Sequence, residues 1–358
     1  MKHLKRLFIF LIGLTLLLVI INVVPWAPTK AKNNQKWLRK DGEAPLIIPH
    51  GGAKEMYPEN TMYAFDKTSH YDAFEIDLAL TDDNILISHH DLDLKLMANR
   101  PDLKVRDLKY REIIDVITEA GFPHVRGFNG TVKKEDYSTW TDQEILDNKI
   151  IPVPLEDIFR KYPDKLYILE LKDTNRKTND PLQANIYKHN SEVAVEQLAY
   201  LTEKYSMQDK VMMASFDDKL VKAFNKRVND RVGTMSGSVS SAIFAITSYL
   251  KLDFFYVSDF DAMSLPYREK MSGGTLNTMK KFPGFIQRII STKDGDTYWY
   301  NMNRFELQKD AKRKNIAMIY WTVNDRDDMI ELIRRGADGI ITDDPDLLAE
   351  LIRIYYTY

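Results

Sequence analysis

The 358-residue sequence has no cysteine. That excludes disulfides, thiol catalysis, Fe–S clusters and cysteine zinc sites. It also lacks a surplus of charge. Fifty Lys and Arg stand against 52 Asp and Glu, a net charge of −2, so no global basic field exists to hold nucleic acid. Internal repeats and low-complexity tracts are missing too. With 44% hydrophobic and 28% charged residues, the chain is not a disordered one. It has enough apolar material for a large core of one to three domains.

Only one long hydrophobic run is present. Leu7 to Val24 carries no charge over 18 residues and follows Lys2, Lys5 and Arg6. That length sits at the short edge of a membrane span and exceeds most signal-peptide cores. Residues 1–6 are expected to form a basic tail and 7–24 an uncleaved anchor. The alternative is a cleaved signal segment and a secreted product, but Thr29-Lys30-Ala31 makes a poor cleavage site. Lys30, Lys32, Lys36, Arg39 and Lys40 follow the run and nearly balance the charge before it. A short N-terminal tail favours a single-pass protein with its catalytic part outside the cytoplasm. Residues 25–44, with Pro25 and Pro28 among Lys, Asn and Gln, read as a solvated stalk.

From residue 45 to 358, short apolar runs alternate with helical patterns. The expected strands are Leu46–Pro49, Ala73–Leu78, Ile85–Ser88, Leu166–Leu171, Val211–Ser215, Arg231–Met235, Phe254–Ser258, Ala317–Val323 and Gly339–Thr342. Several are apolar throughout, as strands of a covered parallel sheet must be. Ser191–Tyr205, Asp217–Lys226 and Asp325–Arg335 show helical spacing, and Asp344-Pro345 opens a last helix. The alternation predicts an α/β fold, a (β/α)8 TIM-type barrel. Thr81–Asn84 is too short for a parallel crossover, so Ile85–Ser88 reads as a hairpin arm. Residues 92–150 read as a small insertion.

Polar residues gather where the strands end, which in a barrel is the active face. Glu75 and Asp77 stand at i and i+2 of one strand, and Glu170 and Lys172 repeat that spacing on another. Such residues share a face. Two carboxylates held together repel unless a cation intervenes, and three suit a hard divalent ion such as Ca²⁺ or Mg²⁺; solvated strand-end carboxylates are the plainer reading. His50 and His90 end two strands near this trio and make a plausible acid–base pair. His89 should point to the face opposite His90. In Pro58-Glu59-Asn60-Thr61, Asn60 or Thr61 reads as a helix cap, while Glu59 would brace His50 or Lys172 from behind.

Taken in order, these segments resemble the glycerophosphodiester phosphodiesterase family, a branch of the barrel phosphodiesterases that include phosphatidylinositol-specific phospholipase C. The matching segments are HGGAKEMYPENTMYAF from His50, EIDLALTDDNILISHHD from Glu75, IPVPLEDIF from Ile151, ELK from Glu170, SF at Ser215, WTVN from Trp321 and DGIITDDP from Asp338. The resemblance implies metal-dependent hydrolysis of glycerophosphodiesters, or of lysophospholipid-like diesters, to an alcohol and a glycerol phosphate. It implies Glu75, Asp77 and Glu170 as metal ligands, and His50 and His90 as acid and base. Lys172 would face the phosphate, Trp321 would wall the glycerol side, and Glu59 and Asn60 would support the site. Gly51 departs from the family arginine and removes a bidentate phosphate donor. Either another cation replaces it, with Lys54 a nearby candidate, or the substrate head differs, or activity is weak. The other readings are a phospholipase C- or D-like enzyme that forms a cyclic phosphate, and a binding protein that has lost catalysis.

One further segment stands out. Met263–Tyr300 interleaves Arg268, Lys270, Lys280, Lys281 and Arg288 with Tyr267, Phe282, Phe285, Ile286, Ile289 and Ile290. It is expected either to pack on the barrel wall or to form a lid at an anionic membrane.

Overall fold

A computed structural model describes residues 2–133, 135–172, 181–268, 270–300 and 305–357. Eight parallel strands form its centre: β1 (Leu46–Pro49), β2 (Ala73–Leu80), β3 (Leu166–Leu171), β4 (Val211–Ala214), β5 (Gly233–Thr234), β6 (Ala262–Pro266), β7 (Ala317–Trp321) and β8 (Gly339–Thr342). They make two sheets, β2-β3-β4-β5 and β1-β8-β7-β6. A parallel bridge between Met235 and Ala262 joins β5 to β6. At the other seam, the Gly51 N–H beyond β1 donates to the Glu75 carboxylate on β2. The result is a mixed α/β fold with a barrel-like ring. It is mixed because Leu86–Ser88 pairs antiparallel with β2, as its five-residue connection requires.

The helices used below are α1 (Lys2–Val23), α2 (Met62–Thr68), α3 (Pro181–Lys204), α4 (Asp218–Arg227), α5 (Ser238–Tyr249), α6 (Gly284–Ile290), α7 (Arg326–Arg335) and α8 (Pro345–Thr357). On α4, Leu220, Val221 and Phe224 are buried; on α7, Met329, Leu332 and Ile333 are. Their spacing of three and four puts one apolar stripe on the sheet and leaves the charges outside. Asp217 caps α4 through the Lys219 N–H, and Asp325 caps α7 through two N–H groups. Inside the ring, Leu46, Ile48, Ile168, Met212, Ile319 and Ile341 fill the core. Residues 92–150 leave the ring after the hairpin, and their apolar side chains, among them Ile113, Phe122 and Ile145, join the same core as β2 and β3.

Two expectations are corrected. Phe254–Ser258 is not a strand. Asp253–Phe255 is a 3-10 turn, Phe255 is exposed, and the sixth strand of the ring is Ala262–Pro266. The run has β-propensity but lies before the strand edge it would have to pair with, and Phe254 instead meets the Trp26 ring.

Residues 25–44 are not a solvated stalk either. They close the floor of the barrel, the end where the strands begin. The N–H groups of Lys32 and Asn33 both donate to Asp261 at 2.8 Å, Asn34 donates to the carbonyls of Asp261 and Asn315, and the Arg39 N–H donates to Asp338 at 2.7 Å. Trp37 is 1% exposed and packs with Leu46 and Ile48 inside the ring. Composition hid this because the segment's polar side chains are satisfied by strand-end backbone and carboxylates.

Helix α1 begins at Lys2, so the basic residues expected as a tail lie in its first turns; Met1 lies outside the described residues. From His3 to Val23 it is long and apolar enough to cross a membrane.

Candidate active site

The strand ends hold the chemistry. In β2 and β3, Asp77 is paired in register with Glu170. Glu75, Asp77 and Glu170 each offer an oxygen within 4.8 Å of the others. Glu75 and Asp77 are 5% and 2% exposed. Burial, with Asp77 beside it, pushes the Glu75 carboxyl up to about 8. Burial also pushes Asp77 up, but Lys172 outweighs it and holds the carboxyl below its usual range. Glu170 is raised by burial, against the pull of Lys172. The Lys172 Nζ lies 2.8 Å from both Asp77 and Glu170. It bridges these two carboxylates. One ammonium does not balance three carboxyls, two buried and Glu170 part-buried, and the raised Glu75 carboxyl marks the imbalance. This donor set of hard oxygens fits a divalent Ca²⁺ or Mg²⁺.

Asn60 holds Asp77 in place. Its Nδ2 donates to Asp77 Oδ2 at 2.9 Å and its Oδ1 accepts from the Asp77 N–H at 3.1 Å. The helix cap is Thr61, which accepts from the Ala64 N–H at the start of α2. Ser88 ties the brace together: its hydroxyl donates to the Asn60 carbonyl and accepts from the Val153 N–H. That explains why an Ile-Pro-Val-Pro segment far along the chain belongs with the site. Glu59 stands beside Gly51 and Asn60, its carboxyl raised by burial.

His50 lies at the end of β1 with its Nδ1 2.8 Å from Asp343 Oδ1. Asp343 Oδ2 accepts from Asn324 at 2.6 Å, and the Asp343 N–H donates back to the Asn324 amide oxygen. Burial would lower the His50 pKa, but the Asp343 bond and the Glu75 charge outweigh it and raise it. His90 is half exposed and meets Asp91 at 3.0 Å. His89 is buried, with Nε2 at the Asp93 carbonyl, so the two neighbours do point apart. Trp321 ends β7 and packs edge-on against Phe216, ring centres 5.7 Å apart. Sequence reasoning did not assign Asp343, Asn324 or Phe216. Each lies in a segment that carries the family resemblance and follows a strand end on the active face, and those were the signals available.

Gly51 has φ +54°. A Cβ there would sit 3.3 Å from Asn60 Nδ2. An arginine at this backbone conformation is strained and crowds the Asp77 brace. Lys54, three residues on, acts by its charge on His50, Glu59 and Asp343.

An α/β barrel with carboxylates, a lysine and two histidines at the C-terminal strand ends has the layout of a barrel hydrolase. The particular family follows from comparison. The chain belongs to the glycerophosphoryl diester phosphodiesterase family, whose model matches residues 50–347, and is accordingly a phosphoric diester hydrolase. It is 23% identical to a glycerophosphodiester phosphodiesterase of Caldanaerobacter subterraneus subsp. tengcongensis, over 86% of this chain and 98% of that protein. It is 22% identical to lysophospholipase D GDPD3 of Mus musculus, over 85% of this chain and 80% of that protein. Its fold is similar to the glycerophosphoryl diester phosphodiesterase domain of a Mycobacterium tuberculosis protein, with a TM-score of 0.58 at 11% identity, covering 86% of this chain and 98% of that one.

Proposed function

We infer that the chain hydrolyses a glycerophosphodiester or lysophospholipid-like diester to an alcohol and a glycerol phosphate, from a barrel tethered to a membrane by α1. The observation that carries the reading is the clustered trio Glu75, Asp77 and Glu170, the first two buried, with His50 close enough to Glu75 to feel its charge. These three carboxylates would hold Ca²⁺ or Mg²⁺, which supplies charge neutralisation at a phosphoryl oxygen. Asp343 occupies His50 Nδ1, which leaves Nε2 as the atom that gives or takes the proton. His90 serves as its counterpart across the reacting phosphorus. Lys54, whose charge acts on His50, Glu59 and Asp343, takes the place of the missing arginine and joins Lys172 at the phosphate. Trp321 and Phe216 form an apolar wall for the glycerol or alcohol side.

Anchoring by α1 is supported by where the chain goes next. Ala27 and Ala31 are buried in the floor, so cleavage near Ala31 would cut a segment the barrel uses. The test is phosphorus NMR of the purified full chain with a panel of glycerophosphodiesters and lysophospholipids, with and without chelator. Glycerol phosphate that disappears with chelator supports the reading. A cyclic phosphate, or full turnover without metal, overturns it.

A further inference from the structure

Helix α5 is apolar on both sides: Phe244 and Ala245 are buried against the barrel. Its sequence, SVSSAIFAITSY, contains no charge. Serines share the face that meets the barrel: Ser241 Oγ lies 2.7 Å from Ser236 Oγ, and the Ser248 hydroxyl donates to Asp310 at 2.7 Å. The opposite face carries Val239 and Ile243 and leads to Leu250 just past the C-terminus, 62%, 45% and 45% exposed. Spacings of four and seven put these three in one stripe. Elsewhere on the barrel, α4 and α7 fill the outer position with charged residues. Water gives no reason to leave an outer face apolar.

The stripe does not end with α5. Toward the floor it continues into exposed Leu252, Phe255 and Trp26. Helix α1 ends in this patch: Arg313 Nη1 donates to the Ile21 carbonyl at 2.9 Å, and Asn22 Nδ2 donates to the Lys251 carbonyl at 3.3 Å. Arg313 is itself anchored on buried Asp253. The end of the apolar helix is therefore bolted to the barrel at the foot of the stripe. Toward the mouth, α6 packs against α5, and Phe282 and Phe285 are exposed there beside Lys280 and Lys281.

We propose that this flank, from Trp26 through Phe255, Leu250 and Ile243 to Phe285, rests on the lipid bilayer interface, so that the barrel lies on its side. The proposal builds on the reading of α1 as a membrane span. A span that ends among Trp26, Asn22 and Leu250 sets those residues at headgroup depth, and the stripe runs on from them. Aromatic and aliphatic side chains rimmed by lysine fit an anionic lipid surface. The mouth then opens along the membrane, with the α6 rim nearest the lipid, the position a lysolipid substrate would approach from.

The absence of native cysteine makes the test direct. Single nitroxide labels are placed by Ile243→Cys and Leu250→Cys on the flank, Leu16→Cys on α1 and Lys222→Cys on α4. The full chain is reconstituted in vesicles of phosphatidylglycerol and phosphatidylcholine, and turnover of a water-soluble diester in detergent verifies each variant's fold. The expected result is several-fold higher collision with oxygen, and several-fold lower collision with a water-soluble nickel chelate, at 243 and 250 than at 222. Water-like collisions at 243 and 250, with Leu16→Cys in lipid, overturn the flank and leave the anchor standing. Water-like collisions at Leu16→Cys overturn the anchor, and the flank labels then decide the flank by themselves. Loss of access to both reagents at 243, with spin coupling between chains, makes a second copy the occupant and overturns the proposal.

Discussion

The mouth of the barrel and its α5 flank break the same rule in opposite directions. At the mouth, Glu75, Asp77 and Glu170 are withdrawn from water; on the flank, Val239, Ile243 and Phe255 are left in it. Each arrangement costs free energy in water unless something else is present. At the mouth the chain supplies part of the answer itself, through Lys172 and Asn60, and Glu75 marks what is left over. Among the described residues nothing covers the flank. The difference separates a site that is pre-organised for a small cation from a surface whose partner must be extended.

The strongest way to break the comparison is to remove the cation. Chelation should abolish turnover, and Glu75→Gln should weaken metal binding as read by calorimetry. His50→Ala and His90→Ala should each lower kcat by about 10² or more, the scale of acid–base catalysis. Full activity in excess EDTA after dialysis would make the carboxylate trio a structural feature only. A second test checks that ordinary flanks obey the usual rule. Leu332 on α7 is 1% exposed, so Leu332→Ala should cost about 2–5 kcal/mol in chemical denaturation. A loss well below that would mean α7 does not seal the core.

The parts of the molecule differed in how far their sequence could be read. Strands such as Gly339–Thr342 and Leu166–Leu171 are buried on both sides, and continuous apolar runs announce that. Glu75, Asp77 and Glu170 were legible because a two-residue period fixes which side chains share a face. Asp343 was not, since its role depends on β8 lying beside β1, a contact between residues 293 apart in sequence. The floor segment was misread because Asn34 and Lys32 look solvated until the carboxylate of Asp261 and the backbone around it are brought to them. Phe254–Ser258 was misread because β-propensity says nothing about whether an edge is available to pair with.

Asp343 gives a smaller and more specific test at the mouth. Its bond raises the His50 pKa, so Asp343→Asn should let that pKa fall. The limb of the kcat/KM profile that follows His50 should then move to lower pH. Loss of a hydrogen bond to a charged group is worth about 1.5–3 kcal/mol, so turnover should fall roughly 10- to 100-fold. An unmoved limb would mean His50 is oriented by something else.

The smallest expected effect is the most telling about the flank. In detergent, Ile243→Ser should change unfolding free energy by no more than about 0.5 kcal/mol, the range of surface substitutions. Its side chain points away from Ser241 and Phe244, which make the contact with the barrel, so no cavity opens. A matching substitution inside, Phe244→Ser, empties a fully buried site and should cost several times more. If Ile243→Ser were as damaging as Phe244→Ser in detergent, Ile243 would belong to the protein core and the outer face of α5 would not be a lipid surface. If it is silent in detergent but loosens the barrel's hold on vesicles, its apolar side chain is kept for the lipid and not for the fold.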